Sequence, residues 1–170
     1  MNRNIFIAFF VLQLSACASN QYVEIKSVKF DKAQADKMMM PGKNKISGSA
    51  LIRQQGGGVV TCAGLDVYMM PATDYAKKWA GVIYGSEKGG YKPTNLQGIE
   101  FINLDKDFSQ SIVAEKCTPS GNFVFNKVAD GEFYVFTKIN WSAGGYIQGG
   151  SISKAVIVSG GAEATVVLSP

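Results

Sequence analysis

The chain has no histidine at all among its 170 residues. That removes Ser-His and Cys-His nucleophilic machinery. It also strips a zinc site of its usual nitrogen ligand, leaving cysteines and carboxylates as an unusual set. Cysteine is scarce too, with three in the chain, and proline stands at five. Charge of either sign is low: 17 Lys+Arg against 13 Asp+Glu, with the lysines scattered along the sequence. So weak a positive balance gives no footprint for nucleic acid. Apolar runs are short. The longest, Ile5–Leu14, is about half the ~20 residues that a membrane-spanning helix needs, and no later run approaches that length. No internal repeat or low-complexity tract is present.

What the chain does have begins with that run. Asn2, Arg3 and Asn4 precede it, and Leu14-Ser15-Ala16-Cys17 closes it. A basic start, a short apolar stretch and small residues form a secretory signal. The sequence around Cys17 resembles the lipobox of bacterial lipoproteins. The resemblance implies cleavage before Cys17, acylation of its thiol and a mature chain of 17–170. An ordinary cleaved signal with an incidental cysteine is the plainer alternative. Ala18-Ser19 replaces the Asp that often marks inner-membrane retention, which points to the outer membrane. The expected organisation is a leader at 1–16, a lipidated cysteine with a short tether at 17–21, and one domain at 22–170.

In an oxidising compartment the two remaining cysteines, Cys62 and Cys117, are expected to form a disulfide. Two buried free thiols are the alternative. Nineteen glycines and the abundance of Val, Ile, Phe and Tyr favour a turn-rich, mainly β protein. Strands are predicted at Tyr22–Phe30, Ile46–Arg53, Val59–Cys62, Leu65–Met70, Ser109–Cys117, Phe123–Phe125 and Glu132–Trp141. A final hairpin is predicted from Ser151–Ser159 and Ala162–Leu168 around Gly160-Gly161. Helical turns are expected at Asp31–Met40, capped by Asp31, and after Pro71-Ala72-Thr73, where Tyr75, Trp79 and Ile83 recur at helical spacing. Gly85–Gly98 is rich in glycine and lysine and is expected to be a long loop, the first place to look for a contact surface.

Two stretches carry a second resemblance. Thr118-x-x-Gly121-x-Phe123-x-Phe125-x-x-Val128-x-x-Gly131-x-Phe133-x-Val135 is similar to the signature of carboxypeptidase-regulatory-like, transthyretin-like domains. Gly48-Ser49-Ala50 and the segment from Cys62 to Tyr75 resemble the first strands of such domains in envelope proteins. The resemblance implies an antiparallel β-sandwich (transthyretin-like or Ig-like) with one or two short helices. That family has no shared catalytic residues to carry over.

Chemistry is sparse by elimination. Asp105-Lys106-Asp107, with Glu100 nearby, is the nearest thing to a carboxylate pair, but such a run is ordinarily a solvated turn. It lacks the spacing of a calcium loop. Met38-Met39-Met40 is read as gap-filling rather than a metal site, and Gly56-Gly57-Gly58 as a turn, since no P-loop lysine follows. No catalytic residue, metal site or cofactor is expected. Aromatic residues beside glycine suit recognition instead. Tyr84, Tyr91, Trp141 and Tyr146 are the candidate contact residues, while Trp79 is assigned to packing; for Trp141 and Tyr146, core packing and ligand contact both stand. The expectation is a non-catalytic binding or assembly component of the cell envelope, held at the outer membrane by its lipid, with an envelope protein as partner and no nucleic acid. The alternative is a module that binds a glycan such as peptidoglycan.

Overall fold

The computed structural model describes residues 20–96 and 98–170, so Cys17, the 1–16 leader and the start of the tether lie outside it. The first strand, β1 (Gln21–Val23), is far shorter than the predicted Tyr22–Phe30. Beyond Val23 the chain runs irregularly, because Ile25, Val28 and Phe30 all pack onto one core instead of alternating across a sheet. Helix α1 (Lys32–Met38) starts where expected; the Asp31 carboxylate accepts from the Gln34 N–H at 2.9 Å. Strands β2 (Asn44–Arg53), β3 (Val59–Thr61) and β4 (Asp66–Pro71) follow. Thr73 then caps α2 (Asp74–Tyr84), accepting from the Ala76 N–H, and Gly85 ends it in the left-handed conformation.

The predicted loop 85–98 contains a strand at its centre, flanked by turns. β5 (Gly89–Pro93) pairs along the edge of a sheet, and β6 (Ile99–Phe101) pairs with β1 in parallel. Gly89 is there for close approach: a Cβ on it would lie 2.4 Å from the Ser153 carbonyl oxygen. The predicted strand Ser109–Cys117 is also corrected. Helix α3 (Lys106–Gln110) occupies its first part, leaving β7 (Val113–Lys116). Asp105 is the α3 N-cap and accepts from the Asp107 N–H at 2.9 Å, so the Asp-Lys-Asp run is a helix start and not a solvated turn. Three long strands, β8 (Asn122–Val128), β9 (Gly131–Ala143) and β10 (Tyr146–Val158), precede the last, β11 (Glu163–Leu168).

These strands make an antiparallel β-sandwich with three helices. One sheet has the order β5-β10-β9-β4-β7, antiparallel throughout. In the other, β2 pairs with β8 and β3 in antiparallel fashion and with β11 in parallel. The expected final hairpin is therefore absent: at Gly160-Gly161 the chain crosses from one sheet to the other. The true hairpin is β9–β10, closed by Gly144-Gly145, both at positive φ. Asp130-Gly131 is a second crossing, from β8 to β9. Buried Asn44 ties both crossings together. Its amide donates to the Val128 carbonyl at 3.0 Å and to the Asp130 carboxylate at 2.9 Å, and its oxygen accepts from the Gly161 and Ala162 N–H groups at 2.8 Å. The bond from Asn44, with one from the Gly160 N–H, holds the Asp130 carboxyl below the usual carboxylate range.

Strand β9 organises the core because its residues alternate. Phe133, Val135, Thr137 and Ile139 point between the sheets, where they meet Ile46, Phe123, Phe125 and Leu168. Tyr134 and Phe136 point outward and are covered by α2, α3 and the 25–30 segment through Tyr75, Ala76, Phe108 and Phe30. The five-stranded sheet is thus buried on much of both faces. Cys62 and Cys117 are bonded as expected, with Cα atoms 5.8 Å apart, at the edge of the inter-sheet core.

Candidate functional site

At the hairpin end of the sandwich, β9 and β10 run on beyond β4, whose pairing with β9 ends at Val67 and Thr137. Burial falls along the inward row there, from buried Ile139 to half-buried Trp141. Trp141 continues the inward row of Phe133 to Ile139, so its ring rests partly on the core and partly against open space. Beside it lies a depression of about 690 Å³. Trp141, Tyr91 and Tyr146 line it with their rings; Tyr146 is 77% exposed.

Local sequence explains this placement. Tyr91 is paired with Ile152 across the β5–β10 ladder and so faces inward, like Trp141. Its hydroxyl donates to the Gly149 carbonyl at 2.9 Å, which fixes the ring. Gly150 gives that ring room, since a Cβ there would lie 2.5 Å from Tyr91 Cε2. Gly149, at φ +104°, brings the β10 backbone so close to β9 that a Cβ would sit 2.0 Å from the Ile139 carbonyl oxygen. Thr94 and Asn140 join the end of β5 to β9 through a 2.7 Å side-chain hydrogen bond. The glycines around these aromatics are packing devices, not hinges.

The polar part of the lining comes from three places: Arg53, Gln54 and Gln55 at the end of β2, Asn95 after β5, and Gln148 in β10. Amides offer both donors and acceptors, and a guanidinium offers five donors. Among the described residues, the lining holds no carboxylate or thiol. Such a surface can stack an apolar face against rings and satisfy hydroxyl groups at their rims. Burial raises the Tyr91 phenol above its ordinary range, so it remains a neutral donor at any physiological pH.

Three of the four aromatic candidates from the sequence, Tyr91, Trp141 and Tyr146, therefore share one depression. Tyr84 does not. It lies on the outer face of the sheet at the end of α2, its phenol 2.7 Å from the Ser151 hydroxyl, and burial pushes its pKa up to about 12. Asn95 and Gln148 fall in the segments 85–98 and 141–150 that sequence reasoning marked as a contact surface, though neither was singled out, and Arg53, Gln54 and Gln55 were missed altogether. Their only local signal is a pair of glutamines before the Gly56-Gly57-Gly58 turn. Cys62 and Cys117 play no part in the depression.

Neither a family model nor a curated protein matches the chain. A solved structure does, a crystal structure from Pseudomonas aeruginosa described as that of a "putative carbohydrate binding protein". It superposes with a TM-score of 0.70 at 20% sequence identity, over 84% of this chain and 99% of that one. The likeness is one of fold.

Proposed function

We propose that this protein is a non-catalytic, glycan-binding β-sandwich of the bacterial envelope, tethered to the outer membrane through acylated Cys17. The carrying observation is the convergence of Tyr91, Trp141 and Tyr146 with Arg53, Gln54, Gln55, Asn95 and Gln148 around one depression. A sugar ring has an apolar face of C–H groups and an equatorial rim of hydroxyls. Aromatic rings match the first, and amide and guanidinium groups match the second. The description of the P. aeruginosa structure agrees with this reading. The lipobox-like Leu14-Ser15-Ala16-Cys17, followed by Ala18-Ser19, supports the membrane address, and the carboxypeptidase-regulatory-like signature fits an envelope β-sandwich. Stable attachment follows from several acyl chains on one cysteine.

Binding of the full mature protein to an oligosaccharide array and to isolated peptidoglycan sacculi tests the proposal. Wild-type protein is expected to be retained, and Trp141→Ala and Tyr146→Ala protein to be lost. In-cell crosslinking to another envelope protein, with no retention on any glycan, would replace this reading with that of an assembly component.

A further inference from the structure

A second groove, on the opposite face of the five-stranded sheet, shares only Pro93 with the lining of the glycan site. It encloses about 370 Å³ between α2, β5 and the segment before β6, a volume within the usual range of small-ligand sites. Register builds its floor. Phe136 and Tyr68 are paired across β9 and β4, both pointing outward, with rings stacked at 5.3 Å. Trp79, on α2, closes over Phe136 at 5.6 Å. Leu96 stands at the lip, 56% exposed.

Two residues further along the same strands the character changes. Lys92, Ser151 and Lys138 are paired in one row across β5, β10 and β9. Side chains two apart on a strand share a face, so both lysines lie on the groove side, at one end of the aromatic floor. Both line the groove, whose described residues include no carboxylate. Among the described residues neither lysine takes part in an ion pair, so both charges are open to a ligand that reaches this end of the groove.

We propose that this groove binds a fatty-acid-like amphiphile, with its chain along Tyr68, Phe136 and Trp79 and its acidic head on Lys92 and Lys138. Charge decides the occupant. An apolar floor alone fits any hydrocarbon, but two unpaired cations at one end select an anionic head. A neutral sugar could stack on the floor but brings no charge to the lysines, and a polar peptide leaves the floor unmatched. The acyl chains expected on Cys17 lack an acidic head and leave the lysines unused.

Tryptophan fluorescence tests this directly. The chain has two tryptophans, so Trp141→Phe leaves Trp79 as sole reporter. Bromodecanoate, added to the full chain below its micelle concentration, is expected to quench Trp79 saturably. Decanoate should reverse the quenching, and decanol should compete far less well. Reversing both charges, Lys92→Glu with Lys138→Glu, is expected to weaken binding about tenfold or more, and added salt to weaken it in the unreversed protein. Non-saturating quenching, equal competition by decanol, or indifference to both charge reversal and salt would overturn the proposal. Quenching seen only in Cys17→Ala protein would assign the groove to the protein's own anchor and overturn it too. None of these outcomes bears on Trp141 and the glycan depression.

Discussion

The Cys62–Cys117 bond ties together the two segments, after β3 and after β7, in which the chain crosses between the sheets. Strand β7 is an edge strand whose residues are all exposed, and it pairs only with β4, from Asp66↔Lys116 to Met69↔Val113. The ladder is prolonged by the Cys117 N–H to the Leu65 carbonyl at 2.9 Å. On the other sheet the Cys62 N–H donates to the Ala50 carbonyl at 3.0 Å. The bond thus pins a weak edge of one sheet to the end of β3, which pairs with the central strand β2 of the other. With a sequence separation of 55, the chain-entropy relation gives about 4 kcal/mol. That is a large share of the ~5–15 kcal/mol by which a domain is stable. Urea unfolding of the full chain, followed by far-ultraviolet circular dichroism, should show a loss of that size for Cys62→Ala with Cys117→Ala. Alanine is preferred to serine because both positions are buried and a hydroxyl there would need a partner. Amide exchange should accelerate first in residues 113–117. A loss below about 1 kcal/mol, against the ~2–5 kcal/mol usual for native bonds, would refute the reasoning. So would exchange that accelerates elsewhere while β7 stays protected.

Three further outcomes follow from the core, the crossings and the buried phenols. Phe133→Ala, at a fully buried position, should cost about 3–5 kcal/mol in the same urea experiment; wild-type-like unfolding would mean that β9 is misplaced. Asn44→Ala should cost about 3 kcal/mol, because the Gly161 and Ala162 N–H groups lose their acceptor and Val128 and Asp130 lose a donor. Burial pushes the Tyr84 and Tyr134 phenols up to about 12, above the ordinary value near ~10. A raised phenol binds its proton more tightly when folded, so this stability is fully present below about pH 10 and is lost as pH rises through about 12. A thermal midpoint that stays level across that alkaline window would contradict it.

The sequence was informative where a pattern is local. Phe133, Val135, Thr137 and Ile139 alternate, and a strand is the conformation that puts all four on one face. Asp31 and Thr73 announce α1 and α2 because a cap is a contact over three residues. Pairing across the sequence was not legible in the same way. Gly89-Gly90 has the composition of a loop, yet Gly89 is required by the approach of Ser153 on β10, which lies more than sixty residues away. Gly160-Gly161 has the composition of a hairpin turn, yet β11 leaves its neighbour and pairs in parallel with β2. The candidate site divides similarly. Its rings could be picked out, because exposed-looking aromatics beside glycine are uncommon. Its amides could not, because glutamine and asparagine are ordinary surface residues until the fold gathers segments 52–55, 91–95 and 141–149 at one end.

The central claim is tested most directly by isothermal titration of the full mature protein with the tightest-binding oligosaccharide from the array, for wild type and for Trp141→Ala. A stacking ring at the centre of a small site is worth about 2 kcal/mol or more, or roughly 30-fold in affinity. The prediction is a loss of at least that size, with no comparable loss for Tyr84→Phe, which removes only a hydroxyl on the opposite face. Undiminished affinity in Trp141→Ala protein that still unfolds cooperatively, or no heat with any envelope glycan, would contradict the account.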